Sequence, residues 1–195
     1  MFGIDITEII RNGGLLLVAF MLFAETGLLL GFFLPGDTLL LASGILAASG
    51  NFSLGVLLPV VVVSTVAGNI VGYEIGHRAG PKLFKKKDGK IFRQEYLTRA
   101  EDFYEKHGGK TILFARFLPI IRTFAPIVAG IGKMNKKLFN FYNVVGGVIW
   151  GVGVTLIGYF FGQRIPNLEN YILPVILTVV LLSFLSPLIH SFKKN

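Results

Sequence analysis

The sequence predicts an all-α integral membrane protein. Its plan is an inverted repeat of two re-entrant helical hairpins, each followed by a transmembrane helix, with one more transmembrane helix at the C-terminus. Three observations predict it. The 195 residues are 53% hydrophobic and only 15% charged, with a mean hydropathy of +0.67, too little polar surface to coat a water-soluble globule. Apolar runs of membrane length recur along the chain, and one shorter run, Thr38 to Gly50, cannot cross. Pro-containing breaks sit inside two of the apolar blocks and recur at nearly equal spacing. The length suits one domain, and so much apolar sequence excludes a disordered chain.

In order along the chain, Leu15 to Leu34 is long enough to span and is interrupted by a single charge, Glu25. Thr38 to Gly50 is apolar but reaches only about 20 Å as a helix, against a hydrocarbon core of about 30 Å. Leu54 to Gly76 can span, with Glu74 near its end. A polar stretch, His77 to Lys110, separates it from Thr111 to Gly132, an apolar block holding Arg116, Pro119, Arg122 and Pro126. Phe139 to Gly162 and Tyr171 to His190 are clean spans. Asp5, Glu8 and Arg11 precede the first run where a signal peptide would carry a basic segment, so none is expected.

The net charge of +8 is unevenly placed. Residues 78–110 carry ten Lys or Arg and five Asp or Glu; Lys133, Lys136 and Lys137 follow the next apolar block, and Lys193 and Lys194 close the chain. The positive-inside rule puts these three regions in the cytoplasm, C-terminus included. The basicity is therefore a topology signal with some attraction to anionic lipid, and no nucleic-acid partner is expected. Phe92, Tyr96, Ala100, Phe103 and His107 recur at helical spacing, which predicts an amphipathic helix on the inner leaflet.

With residues 110 and 133 on one side, the block between them must enter and leave by the same face. A break at Pro119 achieves this, since proline removes a backbone donor and disfavours helix in the residue before it. Pro35 and Gly36 make the matching break ahead of the short 38–50 segment. Phe33-Leu34-Pro35 recurs as Phe117-Leu118-Pro119, and Gly72-Tyr73-x-x-Gly76-x-Arg78 as Gly158-Tyr159-x-x-Gly162-x-Arg164, in the same order and nearly the same offset. The expected units are repeat one over about 14–78, a basic amphipathic loop over 78–110, repeat two over about 111–164 and a last span over 171–190. Inverted repeats of this kind place broken helices at the midplane, where transporters bind substrate.

Ionisable groups at membrane depth are costly and mark function. Glu25, Asp37, Arg116 and Arg122 lie on or beside the two hairpins and sum to zero. One reading has them pair across the hairpins and hold them together. In the other, the two guanidiniums clamp a phosphate or carboxylate, while the two carboxylates, in a low dielectric, carry protons. Asp37 also has a local use, capping a half-helix that begins at Thr38. Glu25, expected mid-span, has none and is the stronger proton site. Glu74 is expected near the interface, outside the site.

These residues resemble the DedA family, relatives of the SNARE-associated Golgi (VTT-domain) proteins. The match is carried by Glu25, Phe33-x-Pro35-Gly36-Asp37 and Phe114-x-Arg116-Phe117-x-Pro119-x-x-Arg122-Thr123-x-x-Pro126-x-x-Ala129-Gly130. The resemblance implies bacterial or archaeal inner-membrane proteins with two facing re-entrant hairpins and lipid transport linked to the proton motive force. It places the family's membrane acids on Glu25 and Asp37 and its essential arginines on Arg116 and Arg122. Members often carry an acid before the Gly-Tyr motif, where this chain has Asn69.

The leading expectation is a carrier of a lipid phosphate (undecaprenyl phosphate or a phospholipid), with Arg116 and Arg122 holding the phosphate and Glu25 and Asp37 carrying protons. The alternative is a proton-coupled carrier or antiporter for small ions or solutes. No enzyme is expected: the chain lacks cysteine, an HExxH motif and a G-x-S-x-G elbow, and none of His77, His107 and His190 lies in a hairpin. No metal or cofactor is expected. Gly146, Gly147, Gly151 and Gly153 offer a smooth face for close helix packing, and with it a possible homo-oligomer.

Overall fold

A computed structural model describes residues 6–28, 36–83 and 94–165. Pro35 with its Phe33-Leu34 neighbours, Phe92, and the span expected over 171–190 lie outside the described residues.

All the regular structure among the described residues is helical: α1 (Ile6–Gly27), α2 (Gly36–Ala48), α3 (Leu54–Leu83), α4 (Gln94–His107), α5 (Lys110–Ala115), α6 (Pro119–Ile131), α7 (Lys136–Gly147), a π-helical turn (Val148–Val152) and α8 (Gly153–Arg164). Two stretches are long and apolar enough to cross a bilayer, Leu54–Gly80 and the continuous Lys136–Arg164. The helix ends follow local chemistry. Pro119 opens α6 at its first position, with Leu118 held extended as a residue before proline must be. Asn135 caps α7, its side chain accepting from the Lys137 and Leu138 amides at 3.0 and 3.2 Å. Gly50 and Gly108, at φ +81° and +62°, turn the chain after α2 and α4 in a conformation that L side chains rarely adopt.

Packing is reciprocal. α2 lies on α8 and α3 lies on α6; α1 lies on α3 and α5 lies on α7. Glycines make the two crossings close. A Cβ on Gly76 would sit 2.0 Å from the Ile127 carbonyl oxygen and one on Gly130 2.1 Å from that of Tyr73. Across α2 and α8, a Cβ on Gly44 would sit 2.1 Å from the Thr155 carbonyl and one on Gly158 2.2 Å from that of Leu41. In hydrocarbon there is no hydrophobic drive between helices, so this intimate backbone contact supplies the association. The repeated Gly-Tyr motif of the sequence therefore supplies Gly76 to the α3–α6 crossing and Gly158 to the α2–α8 crossing.

Several expectations change. α1 begins well before Leu15 and ends at Gly27, so Glu25 stands in its last turn, not mid-span. Helix α2 starts at Gly36, placing Asp37 inside the first turn instead of ahead of it. Within α4 the anchoring residue is Tyr104, buried and donating to the Ala125 carbonyl at 3.1 Å, while Phe103 and His107 of the expected apolar stripe are exposed. Burial pushes the Tyr104 hydroxyl up to about 12. Gly146, Gly147 and Gly151 are spent inside the chain, packed on Arg116, Val66 and Val61, so they leave no free face for a second copy. Gly153 alone of the four faces open space.

Candidate functional site

The helical breaks bring Glu25, Asp37, Arg116 and Arg122 from four separate elements into the protein interior. Glu25, Arg116 and Arg122 are 1%, 2% and 6% exposed, whereas the Asp37 side chain keeps 46% of its surface. Asp37 is thus the accessible edge of the cluster.

Arg122, one turn into α6, is held on three sides. Its Nη2 donates to Glu25 Oε1 at 2.6 Å and its Nη1 to Asp37 Oδ1 at 2.8 Å. The Trp150 ring lies beneath, 4.6 Å from the guanidinium carbon to the ring centroid. Trp150 also donates its indole N–H to Asp37 Oδ1 at 2.9 Å. The π-helical turn presents Trp150 here, and such turns recur at functional sites. Glu25 is seated against Gly36, where a Cβ would fall 1.6 Å from Oε2, so any side chain there would displace the Glu25 carboxylate.

Arg116 sits in the turn between α5 and α6 and has different company. Its Nη2 donates to the Asn143 backbone carbonyl at 3.1 Å and to the Asn143 side-chain oxygen. Asn143 in turn donates to the Val66 carbonyl at 3.0 Å. Asn69, its amide oxygen turned toward the guanidinium, accepts from the same Nη2 at 2.8 Å and donates to the Thr26 carbonyl at 3.2 Å. Gly146 packs on the Arg116 side chain, where a Cβ would come within 2.8 Å of Cδ. Both ion pairs made by a buried arginine among the described residues belong to Arg122. Arg116 is charged, buried and surrounded by neutral dipoles. Its Nε, Arg122 Nε and Glu25 Oε2 are buried and make no hydrogen bond among the described residues.

The four expected residues therefore meet, but as two sets: three charges around Arg122 and one alone at Arg116. Asn143, Trp150 and Gly146 escaped the sequence reading. Asn143 is a polar residue within a run read as a clean span, and Trp150 is the chain's one tryptophan; both were visible signals. Glu74 lies outside the cluster, paired with Lys136 and with Arg78 at 3.8 Å. Lys133 reaches Glu101 at 2.9 Å and Tyr73 donates to the Met134 carbonyl at 2.6 Å, so the 133–136 loop, α4 and the end of α3 share one end of the molecule.

A family model described as the VTT domain matches residues 34–160, which include Asp37, Arg116, Arg122 and Trp150 but not Glu25. Protein DedA of Escherichia coli is 42% identical over 195 residues, covering 97% of this chain and 89% of its own. An uncharacterized membrane protein of Mycobacterium leprae is 45% identical over 178 residues, covering 90% and 79%. Inner membrane protein YqjA of E. coli is 33% identical over 168 residues, covering 82% and 76%. No solved structure matches the chain.

Proposed function

The chain belongs to the DedA family of VTT-domain membrane proteins, and from that premise we propose that it carries a lipid phosphate across the membrane in linkage with the proton motive force. The substrate is undecaprenyl phosphate or a phospholipid. The observation that carries this reading is Arg116, a buried guanidinium bonded to the neutral Asn143 and Asn69. A buried charge without a countercharge is unfavourable, and an arriving phosphate supplies what is missing. A guanidinium suits it, offering donors in a planar fork. The hydrocarbon tail stays in the bilayer, so the protein needs no large cavity.

Arg122 serves as the second phosphate ligand, and reaching it means competing with Glu25 and Asp37. Two carboxylates facing one guanidinium leave one negative charge in excess, which a proton neutralises. Asp37, half-exposed, is the group that exchanges protons, and Glu25 holds them out of water. Phosphate engagement and carboxylate protonation thereby favour one another.

The architecture proposed for this cycle is an inverted repeat of two re-entrant hairpins in a multi-pass protein. The reciprocal packing of α2 on α8 and α3 on α6 supports it. The gathering of the 133–136 loop, α4 and the end of α3 supports a shared cytoplasmic side for these basic segments, and with it a cytoplasmic C-terminus. Transport without bond chemistry makes the protein a carrier and not an enzyme.

The test is transbilayer movement of a fluorescent polyprenyl phosphate in proteoliposomes, with and without a pH gradient. Movement that follows the gradient and is lost in Arg116→Gln and Glu25→Gln is expected. Wild-type movement in Arg116→Gln would overturn the phosphate assignment. Gradient-independent movement would make the protein a scramblase and Glu25 a structural partner. No movement by the wild type would favour the small-solute carrier.

A further inference from the structure

We propose that the groove between α4 and the α5–α6 hairpin is a seat for an anionic lipid, phosphate-headed, where the substrate docks before it reaches the buried arginines. The groove encloses about 440 Å³, and its walls include Phe103, Phe114, Leu118 and Ile121. These are large apolar side chains left open by the fold: Phe114 is 65% exposed, Leu118 51% and Ile121 50%. Exposed apolar surface of this kind requires a hydrocarbon occupant.

Charge selects which one. The polar positions of the groove are His107, Lys110 and Thr111, where α4 ends and α5 begins, and no acid among the described residues lines it. A second cavity of similar size on the other side of α4 is lined by Glu101, Glu105, Lys133 and Asn135, a mixed polar set with no such bias. One cationic end and one apolar body match a lipid with an anionic head, and match poorly either a soluble anion or a zwitterionic lipid. Lys110 is exposed and belongs to none of the ion pairs among the described residues, so its charge is available at the rim.

Position supplies the link to transport. Ala115 and Ile121, both in the groove wall, immediately precede Arg116 and Arg122 in the chain. The seat therefore lies on the same two helices, α5 and α6, that flank Arg116 and carry Arg122. The assignment rests on the lipid-phosphate reading for the nature of the head group; the seat itself rests on the groove.

The experiment uses the full-length protein in phosphatidylcholine vesicles doped with either a diazirine-tailed phosphatidic acid or the equivalent phosphatidylcholine probe. Photolabelled peptides are mapped by mass spectrometry. The expected result is that phosphatidic acid labels residues 103–121 several-fold more than phosphatidylcholine does, while labelling at Leu16 and Phe20 of α1 shows no preference. Lys110→Glu, a surface change that leaves the fold intact, should abolish the preference, and Thr111→Trp, which fills the groove, should remove labelling by both probes. Equal labelling of 103–121 by the two lipids, or a preference untouched by Lys110→Glu, would overturn the seat. Arg116→Gln separates the two proposals. Groove labelling that persists there while transport is lost supports both. Loss of transport with no groove preference in the wild type refutes the seat and spares the carrier. A groove preference in a wild type that moves no lipid phosphate supports the seat and refutes the carrier.

Discussion

Arg122 and Arg116 are six residues apart, equally inaccessible, and held in opposite ways. Arg122 has two carboxylates and an aromatic face; Arg116 has two amides and a glycine. The first arrangement closes a charge network across α1, α2 and α6. The second satisfies hydrogen-bonding groups while leaving the charge itself unbalanced. Buried arginines are usually read alike, as pairing or as binding groups. Here one chain contains both, and the neutral amides distinguish them.

The largest expected effect comes from removing the closed network's cation. Arg122→Ala leaves Glu25 and Asp37 facing each other and should cost about 3–5 kcal/mol, seen as a large fall in thermal stability in detergent. Adding Glu25→Gln and Asp37→Asn to that variant should recover part of the loss, because the uncompensated charges are then gone. No recovery would mean the network is not the source. Arg116→Gln should cost less, about 1–3 kcal/mol for its amide partners, while abolishing transport. Equal destabilisation by the two changes would break the comparison.

Trp150→Phe keeps the ring under Arg122 and removes the indole donor to Asp37, for a loss of about 1 kcal/mol. A loss as large as that of Arg122→Ala would show that Trp150, and not the ion pairs, holds Asp37. Gly146→Ala should displace Arg116 from Asn143, because its Cβ would come within 2.8 Å of Cδ; weaker lipid-phosphate binding with a fall in melting temperature smaller than that of Arg116→Gln is expected.

What the sequence made legible follows from what a linear pattern encodes. Pro119 announced its break because proline acts on its own backbone and on its neighbour, and the structure places the α5–α6 turn there. The paired Gly-Tyr motifs announced two related helices, and they form the two glycine crossings. The four charges of the cluster were legible because any charge is conspicuous in or beside an apolar run. Their division into two sets was not, since it depends on which helix faces which. Asn143 comes 27 residues after Arg116 and Trp150 comes 113 after Asp37, and only the reciprocal packing brings them together. The ends of α1 and α2 were misjudged for a related reason: apolar runs mark hydrophobic length, not where a helix stops and starts. For α4, helical spacing alone could not decide between Phe103 and the adjacent Tyr104 as the anchoring side chain.

The central claim, that Arg116 is the phosphate seat because it has no countercharge among the described residues, is tested most directly by supplying one. Asn69→Asp puts a carboxylate where the amide oxygen now accepts from Arg116 Nη2. The measurement is the melting temperature of purified wild type and Asn69→Asp with increasing polyprenyl phosphate, since a ligand stabilises the folded state it binds. The account predicts that Asn69→Asp folds at least as stably as wild type without ligand but loses most of the ligand-dependent rise. A rise equal to that of wild type would contradict it.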